Sequence, residues 1–572
     1  MTPLKTTSSG WVEIFSTFPD NFVNTSSLTS LKLPHCGLYG EFPIGVFHLP
    51  NSEVLYVHKD FKLTGYFLNF NRNDSFKKLS VGEASFSGPL PMSIGNLRSL
   101  TFSNLKNLKK LRLSSNQLSL QIKPNLNATL PKFQIMRLVS CNLTEFPEFS
   151  KNQDELYDLN SSNNRIHGQI PKWFWNTSRK TLKNLALSHN VLTGLESFDR
   201  NPPILTWKNL VFFAVRSNLL QGSLPIPPQS IITYDVANND YNGDISPLFC
   251  SMNVQVLDLA DNNLSGMLPQ CLGNSSALEI LNLSNNSFNG DIPQLCPNKN
   301  SLRMVDLSDN HLQGKVPREL PVLKALILLY NEFRGIIGKP SSNHEFPNLC
   351  IIYLSHNGFS GMLPSNYLEN WNFVKFVNET NQTYFEVSST NATNATYIYQ
   401  YKITILAKGA ELKYLKTPYL LRLIDLSSNR FEGEIPAGII GKLRDLHLLN
   451  LSNNTLSGLI PSSLGNLTAL ESLDLSGNQL SGSIPNSYQG NSGLCGKPLS
   501  KKCKDSESST SSPPSIFEED EDPEIAFKFD WYMVLPRVFC GLIVGFVAGD
   551  AFADKKHEWF VETFSKRRRQ LI

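Results

Sequence analysis

Three sets of residues in this sequence are of types that bind phosphate, bind zinc or transfer protons. Gly496-Lys497 could belong to a phosphate-binding loop, but Pro498 follows where a Ser or Thr is needed. His557-Glu558 begins a zinc-protease motif whose second His is missing. The candidate acids are aspartates that recur inside one short L-D-L motif: Asp258, Asp306, Asp425 and Asp474. Because these aspartates recur with the motif, we interpret them as parts of a repeat and not as catalytic acids.

We therefore predict no catalytic residue, no metal ligand and no cofactor. The sequence has neither a Gly-rich phosphate loop nor the H-R-D loop of a kinase. Its 572 residues are 41% hydrophobic and carry a formal net charge of +3. These values argue against a disordered chain and against a nucleic-acid-binding protein. The sequence predicts a folded protein that is not an enzyme.

A unit of about 24 residues recurs along most of the chain. The segments VQVLDLADNNLSGMLP, LEILNLSNNSFNGDIP and LRMVDLSDNHLQGKVP align, and their Asn262, Asn286 and Asn310 are spaced 24 residues apart. The unit reads L-x-x-L-x-L-S-x-N-x-L-x-G-x-I-P and can be followed through about seventeen copies. This periodicity predicts a stack of similar coils.

The chemistry of the unit predicts how the coils are held together. Alternating leucines such as Leu257 and Leu259 place apolar side chains on one face of a short strand, where only the next coil can bury them. A column of asparagine amides can satisfy the backbone groups left where the strands end, and Cys36 and Cys141 replace this amide with a weak S–H donor. This asparagine ladder contains Asn262, Asn286, Asn310, Asn357, Asn429, Asn454 and Asn478. We predict an α/β-type repeat solenoid, an arc with short parallel strands on its concave face.

The segments LGNLTALESLDLSGNQLSGSIP and LDLADNNLSGMLPQCLGNSSALEILNLSNNSFNGDIP resemble the plant extracellular leucine-rich-repeat subfamily. The resemblance covers about residues 25–572, and the order of parts resembles plant receptor-like proteins that lack a kinase. It implies a plasma-membrane receptor, of the immune or developmental type, for an extracellular protein, peptide or glycan ligand. It also implies a separate transmembrane receptor kinase as co-receptor. An enzyme-inhibitor-type repeat protein and a non-signalling truncated remnant are the alternatives.

The same order of parts predicts the domain boundaries. They are a degenerate N-terminal segment (1–24), a repeat solenoid (25–365), a non-repeat island (366–417), the last repeats (418–488), a cysteine cap (489–504), an acidic stalk (505–530), a transmembrane helix (531–552) and a short basic cytoplasmic tail (553–572).

The island interrupts the repeat with Asn-rich and Tyr-rich sequence. In YIYQYKITI, aromatic and β-branched residues alternate, which predicts a strand that could lie against the solenoid. The resemblance implies a role in ligand or co-receptor binding, with Tyr397, Tyr399, Tyr401 and Lys402 as candidate contacts. A flexible, glycan-covered loop is the alternative.

Cysteine usage is typical of an extracellular protein. Cys495 and Cys503 lie just beyond the last repeat, where a disulfide would close a cap over the end of the apolar core. The sequence does not fix the pairing of four others: Cys250, Cys271, Cys296 and Cys350.

Asparagine glycosylation motifs favour the same compartment. The candidate acceptors are Asn24, Asn73, Asn127, Asn142, Asn176, Asn263, Asn274, Asn378, Asn381, Asn391, Asn394 and Asn466. Asn282 and Asn450 lie inside the L-x-L strands, so modification there is less expected.

Residues 531–552 are apolar for long enough to span a bilayer once. The acidic stalk precedes this segment and a Lys- and Arg-rich tail follows it, which predicts a type I protein with its repeats outside the cell. Gly541, Gly545 and Gly549 lie on one face of the predicted helix, where another helix could approach closely.

The N-terminal sequence departs from the pattern of the receptor-like proteins. Residues 1–24 contain no uninterrupted apolar run of the kind a secretory signal needs, and no cysteine-bearing cap. The interval from Ala84 to Asn116 is 32 residues, as if a unit were partly deleted. The first features predict a chain truncated at its N-terminus, and the long interval suggests further erosion, as in a truncated gene model, a fragment or a decaying copy.

Overall fold

The computed structural model describes residues 6–8, 16–18, 26–67, 75–89, 107–119, 131–147, 150–151, 153–196, 202–293, 301–316, 322–338, 348–370, 384–390, 396–407 and 410–482. Several predicted features lie outside these residues. They are Cys495, Cys503, the predicted stalk, span and tail with Gly541, Gly545 and Gly549, and seven glycosylation candidates, Asn24, Asn73, Asn127, Asn378, Asn381, Asn391 and Asn394.

Eighteen short strands of the described residues form one long parallel sheet. In chain order they are Thr6–Ser8, Ser30–Pro34, Val54–His58, Lys78–Ser80, Lys110–Arg112, Ile135–Arg137, Asp158–Asn160, Asn184–Ala186, Phe212–Ala214, Thr233–Asp235, Val256–Asp258, Ile280–Asn282, Met304–Asp306, Ala325–Ile327, Ile351–Tyr353, Leu423–Asp425, Leu448–Asn450 and Ser472–Asp474.

The predicted repeat solenoid with parallel strands is confirmed. Leu257 and Leu259 are 1% and 0% exposed, and each lies next to its counterpart in the following coil because the strands pair in register, as Leu257 does with Leu281. Fully burying such a leucine stabilises the fold by about 1.5–3 kcal/mol, but only once the neighbouring coil is in place. The buried leucines form one continuous core along the stack.

A second row of strands lies after the ladder position in most coils. These segments pair in parallel, with a positive φ at the glycine of the unit, 76° at Gly290. The strands are Tyr39–Glu41, Lys62–Gly65, Ser85–Pro89, Gln117–Ser119, His167–Ile170, Val191–Leu195, Gln221–Ser223, Asp240–Gly243, Asn263–Met267, Ser287–Asp291, His311–Gln313, Arg334–Ile336, Gly358–Met362, Arg430–Glu434, Thr455–Leu459 and Gln479–Ser481.

Short helices complete some coils. The 3₁₀ helices are Ile44–His48, Lys172–Asn176, Pro247–Ser251, Gln270–Asn274 and Ser462–Asn466, and the α-helices are Ser365–Asn370 and Ala437–Ile440. Several start directly after the Pro that ends the repeat motif, as Ser462–Asn466 does after Pro461. Pro suits this position because its missing N–H would have no partner inside the helix.

Asn262 shows how an amide at the ladder position joins two consecutive coils. Its Nδ2 donates to Leu259 and Ala260 of its own coil at 3.1 and 3.0 Å, and to Val236 of the preceding coil at 3.2 Å. Its Oδ1 accepts from the backbone N–H of Tyr241 at 3.1 Å. The corresponding four contacts are made by Asn286, Asn310, Asn357, Asn429, Asn454 and Asn478.

Asp60 occupies the ladder position with a carboxyl group instead of an amide. Its Oδ1 accepts from the N–H groups of Cys36 and Leu38, both at 3.0 Å. Its Oδ2 is buried and has no hydrogen-bond partner among the described residues. Burial raises the pKa of Asp60 above its ordinary value, against the effect of these backbone hydrogen bonds. In another coil, the thiol of Cys141 at a ladder position donates to Leu113 at 3.2 Å.

The long sheet continues without a gap through both irregular intervals. Lys78–Ser80 pairs directly with Lys110–Arg112, so the long sheet is continuous across the 32-residue interval. Ile351–Tyr353 pairs directly with Leu423–Asp425, so the island leaves the solenoid and returns to it between adjacent strands.

The described part of the island forms two antiparallel hairpins. The first pairs Glu386–Thr390 with Thr396–Gln400, and the second pairs Ile403–Ala407 with Ala410–Tyr414. The alternating YIYQYKITI sequence thus forms strands of both hairpins, in agreement with the strand predicted there.

Candidate functional site

The long sheet has one face that is not part of the leucine core, and we call it the outer face. In each strand the residues that alternate with buried leucines point to this face, as Val256 and Asp258 do around Leu257. Because adjacent strands pair in register, equivalent outward residues form rows with a spacing of about 4.8 Å. The outer face is therefore a grid of side chains.

The island covers part of the outer face. Five outward residues in one row are apolar and at most 2% exposed: Val256, Ile280, Met304, Ala325 and Ile351. They pack against apolar island side chains, which are Phe385, Val387, Tyr401, Ile403 and Ile405. The island and the grid thus share a second apolar core, separate from that of the solenoid.

Polar contacts fix the position of the island over this core. The hydroxyl of Tyr399 donates to Oδ2 of Asp258 at 2.5 Å, and that of Tyr401 donates to Oδ2 of Asp306 at 2.8 Å. The acceptors are outward residues two strands apart in the long sheet. These aspartates are the L-D-L residues of the sequence, and here they bind the island.

An arginine balances part of the buried negative charge. Arg216 lies 3.1 Å from Asp258 and 3.6 Å from Asp235, and the two carboxylates raise its pKa although burial acts in the opposite direction. Burial raises the pKa of Asp235 to about 7, while Arg216 lowers it. Burial also raises the pKa of Asp306 above its ordinary value. The charge of the outer face beneath the island therefore depends on pH.

The four candidate island contacts have different surroundings. Tyr401 is 1% exposed, and Tyr399 is half-buried with its hydroxyl on Asp258, so both phenols hold the island in this conformation and are not free for a ligand. Tyr397 pairs across the first hairpin with Ser389. Lys402 is exposed and stays a candidate ligand contact.

A recess of about 440 Å³ opens where the island returns to the solenoid. Its walls include Arg303, Lys324 and Tyr419, and the Arg303 guanidinium also donates to the Glu386 carbonyl of the island at 3.3 Å. The Lys324 ammonium lies over the ring of Tyr419, 3.8 Å from its centroid. This size is within the range of small-ligand pockets.

The outer face near the first repeats is rich in cations, which sequence reasoning missed. Lys78 and Lys110 are neighbours in one row, and Arg112 lies next to Ser80 in the adjacent row. Lys32 is the neighbour of Tyr56 in that same row. Only the register shows that these residues meet, since up to 80 residues of sequence separate them. We call them the basic patch: Lys32, Lys78, Lys110 and Arg112.

The structure joins two of the four cysteines whose pairing the sequence left open. Cys250 and Cys271 form a disulfide with their Cα atoms 5.5 Å apart. They lie in the 3₁₀ helices Pro247–Ser251 and Gln270–Asn274 of consecutive coils. Cys350 is a buried free thiol, and Cys296 lies outside the described residues.

Glycosylation candidates within the described ranges differ in access. Asn142, Asn176, Asn263 and Asn466 are exposed, and Asn274 ends a 3₁₀ helix. Asn450 is 8% exposed and donates to Asp425, which leaves no room for a glycan in the folded state.

Two kinds of site were also sought in the part of the chain that the structure describes. No helix there is both long enough and apolar enough to cross a membrane. No group of three or more His, Cys, Asp or Glu side chains there could hold a metal ion.

Comparison with known proteins gives matches of two kinds. The Leucine rich repeat family matches residues 252–312 and 420–480. The chain is 31% identical to receptor like protein 28 of Arabidopsis thaliana over 85% of this chain and 68% of that protein. It is 32% identical to receptor-like protein 7 of the same plant over 95% of this chain and 59% of that protein. The match to receptor-like protein 32, at 31% identity, spans only 40% of that protein's length.

Two solved plant receptors have a similar fold. The peptide hormone receptor RGFR1 in complex with RGF2 is 25% identical, with a TM-score of 0.63 over 86% of this chain and 73% of that chain. The Arabidopsis receptor kinase HAESA, solved with the peptide hormone IDA and the co-receptor SERK1, is also 25% identical, with a TM-score of 0.61 over 86% of this chain and 82% of that chain.

Proposed function

Because the chain belongs to the leucine-rich-repeat receptor-like proteins of plants, we propose that it binds an extracellular ligand and signals through a separate receptor kinase. The ligand is an extracellular protein, peptide or glycan of pathogen or plant origin, and plant defence is the proposed setting. The solved relatives RGFR1 and HAESA hold peptide hormones, and the HAESA structure includes a co-receptor. We expect no enzymatic activity.

The division of the outer face is the observation that most supports this proposal. Over Val256 to Tyr353 the island covers outward apolar residues, whereas before that region the grid carries exposed charge such as Lys32. A solenoid that only needed to be stable would not require an inserted segment docked on one face. The open part of the grid, together with Lys402 on the island, is the proposed ligand surface.

We propose the membrane arrangement from the sequence. The span at 531–552 would place the repeats outside the cell and residues 553–572 in the cytosol. Gly541, Gly545 and Gly549 would let the span pack against that of the co-receptor kinase. The cap disulfide Cys495–Cys503 would close the last coil.

The location can be tested by expressing the tagged full chain in plant cells and treating the membrane fraction with a glycosidase. We expect a mobility shift, because at least four acceptor asparagines are exposed on the fold. Replacing Asn142, Asn176, Asn263 and Asn466 by Gln should reduce the shift stepwise, whereas Asn450→Gln should not change it. A chain with no shift would not be a cell-surface receptor.

Signalling can be tested by co-precipitation of the full chain with SERK1 from plant cells exposed to microbial extracts. We expect extract-dependent association, weakened when Gly541, Gly545 and Gly549 are all replaced by Leu. The matched control replaces Ile543 and Val547, on other faces of the predicted helix, by Leu. A response that persists in cells without co-receptor kinases would refute the proposed mechanism.

A further inference from the structure

The basic patch brings four cations together on three of four neighbouring strands, and the remaining strand contributes Tyr56 between them. Its strands run from Ser30–Pro34 to Lys110–Arg112 and span about 14 Å at 4.8 Å per strand. Lys78 lies at the centre, with its Nζ 4.3 Å from the centroid of the Tyr56 ring. The patch is therefore one surface and not a scatter of solvated lysines.

Three nearby carboxylates are already paired with other cations. The pairs are Glu53 with Lys77 at 2.7 Å, Glu155 with Lys109 at 2.6 Å and Asp158 with Arg137 at 2.7 Å. Glu83 lies 3.4 Å from His58, whose pKa burial lowers below its ordinary value. None of the four patch cations has an ion-pair partner within 4.0 Å among the described residues. The patch thus keeps an unneutralised positive charge.

Two observations show that this charge is held at a cost to the fold. Burial, together with repulsion from Arg112, Lys110 and Lys32, lowers the pKa of Lys78 to about 8. The Nε of Arg112 is buried and has no hydrogen-bond partner among the described residues. An anion on the patch would offset this repulsion.

We propose that the basic patch binds an acidic peptide segment of the extracellular ligand, one with at least two carboxylates. This inference rests on the proposed receptor function and names the chemistry of its ligand. Electrostatic complementarity of this kind speeds association and excludes neutral and basic partners.

A peptide suits the patch better than an acidic glycan. Sugar rings commonly need an open aromatic face, but the Tyr56 ring has Lys78 over it and His58 stacked 5.8 Å away. About four residues of extended peptide, at 3.3 Å each, match the 14 Å length of the patch. Three of the four cations are lysines, whose flexible stems can reach carboxylates at different heights.

The test uses the full chain in detergent and a fluorescein-labelled hexaglutamate peptide, with binding followed by anisotropy. We expect saturable binding that weakens steeply from 0.1 to 1 M salt, because the screening length falls from about 10 to 3 Å. Lys78→Gln with Lys110→Gln should weaken binding on the order of tenfold, and Lys78→Arg with Lys110→Arg should retain it. The control pair, Lys62→Gln with Lys208→Gln, makes the same charge change at exposed residues off the patch and should not alter binding.

Three results would overturn the inference. They are equal binding by the patch and control variants, no saturable binding, and patch-dependent binding of tetragalacturonate but not of hexaglutamate, which would indicate an acidic glycan. Circular dichroism melting of each variant shows whether it is folded. If the glutamine pair unfolds, the single variant Lys110→Gln should still weaken binding, and unchanged binding by it would overturn the inference. Loss of hexaglutamate binding with intact kinase association would refute only this inference. Intact hexaglutamate binding with loss of kinase association would refute the proposed function.

Discussion

Replacing Asp60 by Asn should stabilise the first repeats. Asn164, at the ladder position of another coil, shows what the amide would do. Its Oδ1 accepts from the backbone N–H groups of Cys141 and Leu143, as the Oδ1 of Asp60 accepts from those of Cys36 and Leu38. At Asn164 the Nδ2 also donates to three carbonyls at 2.8 to 3.1 Å. The buried Oδ2 of Asp60 has no partner among the described residues, so an amide there would supply the missing donors.

The expected gain is about 1–3 kcal/mol at pH 7, the cost of one buried polar group without a hydrogen bond. It should shrink in acid. The pKa of Asp60 in the folded protein lies above 3.8, so the carboxyl group contributes stability that is complete below pH 3.8 and is lost as the pH rises through the folded value. Asparagine does not titrate, and the two proteins should therefore differ most at neutral pH.

Native-state hydrogen exchange of the amides in Ser30–Leu38 measures this locally. A repeat stack can open coil by coil, so a global melting temperature would dilute the effect. At 1.4 kcal/mol for each tenfold change, we expect exchange in Asp60→Asn to be about 5- to 150-fold slower at pH 7. Asn164→Asp should make the opposite change in its own coil. Unchanged or faster exchange in Asp60→Asn, together with a neutral Asn164→Asp, would refute the reasoning.

Other substitutions test the island and the coils. Tyr401→Phe removes the hydroxyl on Asp306 and should weaken docking of the island by about 1.5–3 kcal/mol, seen as faster hydrogen exchange in residues 396–407. The pKa of Asp235, about 7 in the fold, predicts stability that is complete below pH 3.8 and declines as the pH rises toward 7. In urea unfolding, the free energy of unfolding of the wild type should therefore increase relative to that of Asp235→Asn as the pH falls. A difference in this free energy that does not change with pH would contradict the assignment. Gly441→Ala should destabilise by about 1–3 kcal/mol, because its Cβ would lie 2.7 Å from a backbone oxygen. Gly438→Ala, in the neighbouring helix and facing open space, should instead stabilise by about 0.5–1 kcal/mol in the same urea measurement.

The repeat fold was predictable because its signal is local and recurs. Each unit carries its own alternating leucines, its own turn and its own ladder residue. About 24 residues therefore specify one strand, and the adjacent units carry the same pattern. The in-register pairing of Leu257 with Leu281 is the direct result. The second row of parallel strands was harder to predict, since three to five residues that often include a glycine carry little strand signal.

Docking of the island was not predictable in detail, because no periodic pattern links the residues that meet. Tyr399 and Asp258 are 141 positions apart, and the aspartate looks like any other member of the L-D-L motif. The signal that could have found it is the apolar outward row, with Met304 and Ile351, since apolar residues on an exposed face imply a cover. The basic patch was missed for a similar reason, because Lys32 and Arg112 meet only when the coils are placed in register.

The direct pairing of the strands on either side of the island has an evolutionary consequence. The interval from Ile351 to Leu423 is 72 residues, against 24 from Ile280 to Met304, yet a threefold longer connection adds only about 1 kcal/mol of closure entropy. Insertions of very different length and composition can therefore enter at this point while the coils on both sides stay paired. Natural selection could exchange the segment as one module, and recognition could diversify quickly on a scaffold that hardly changes.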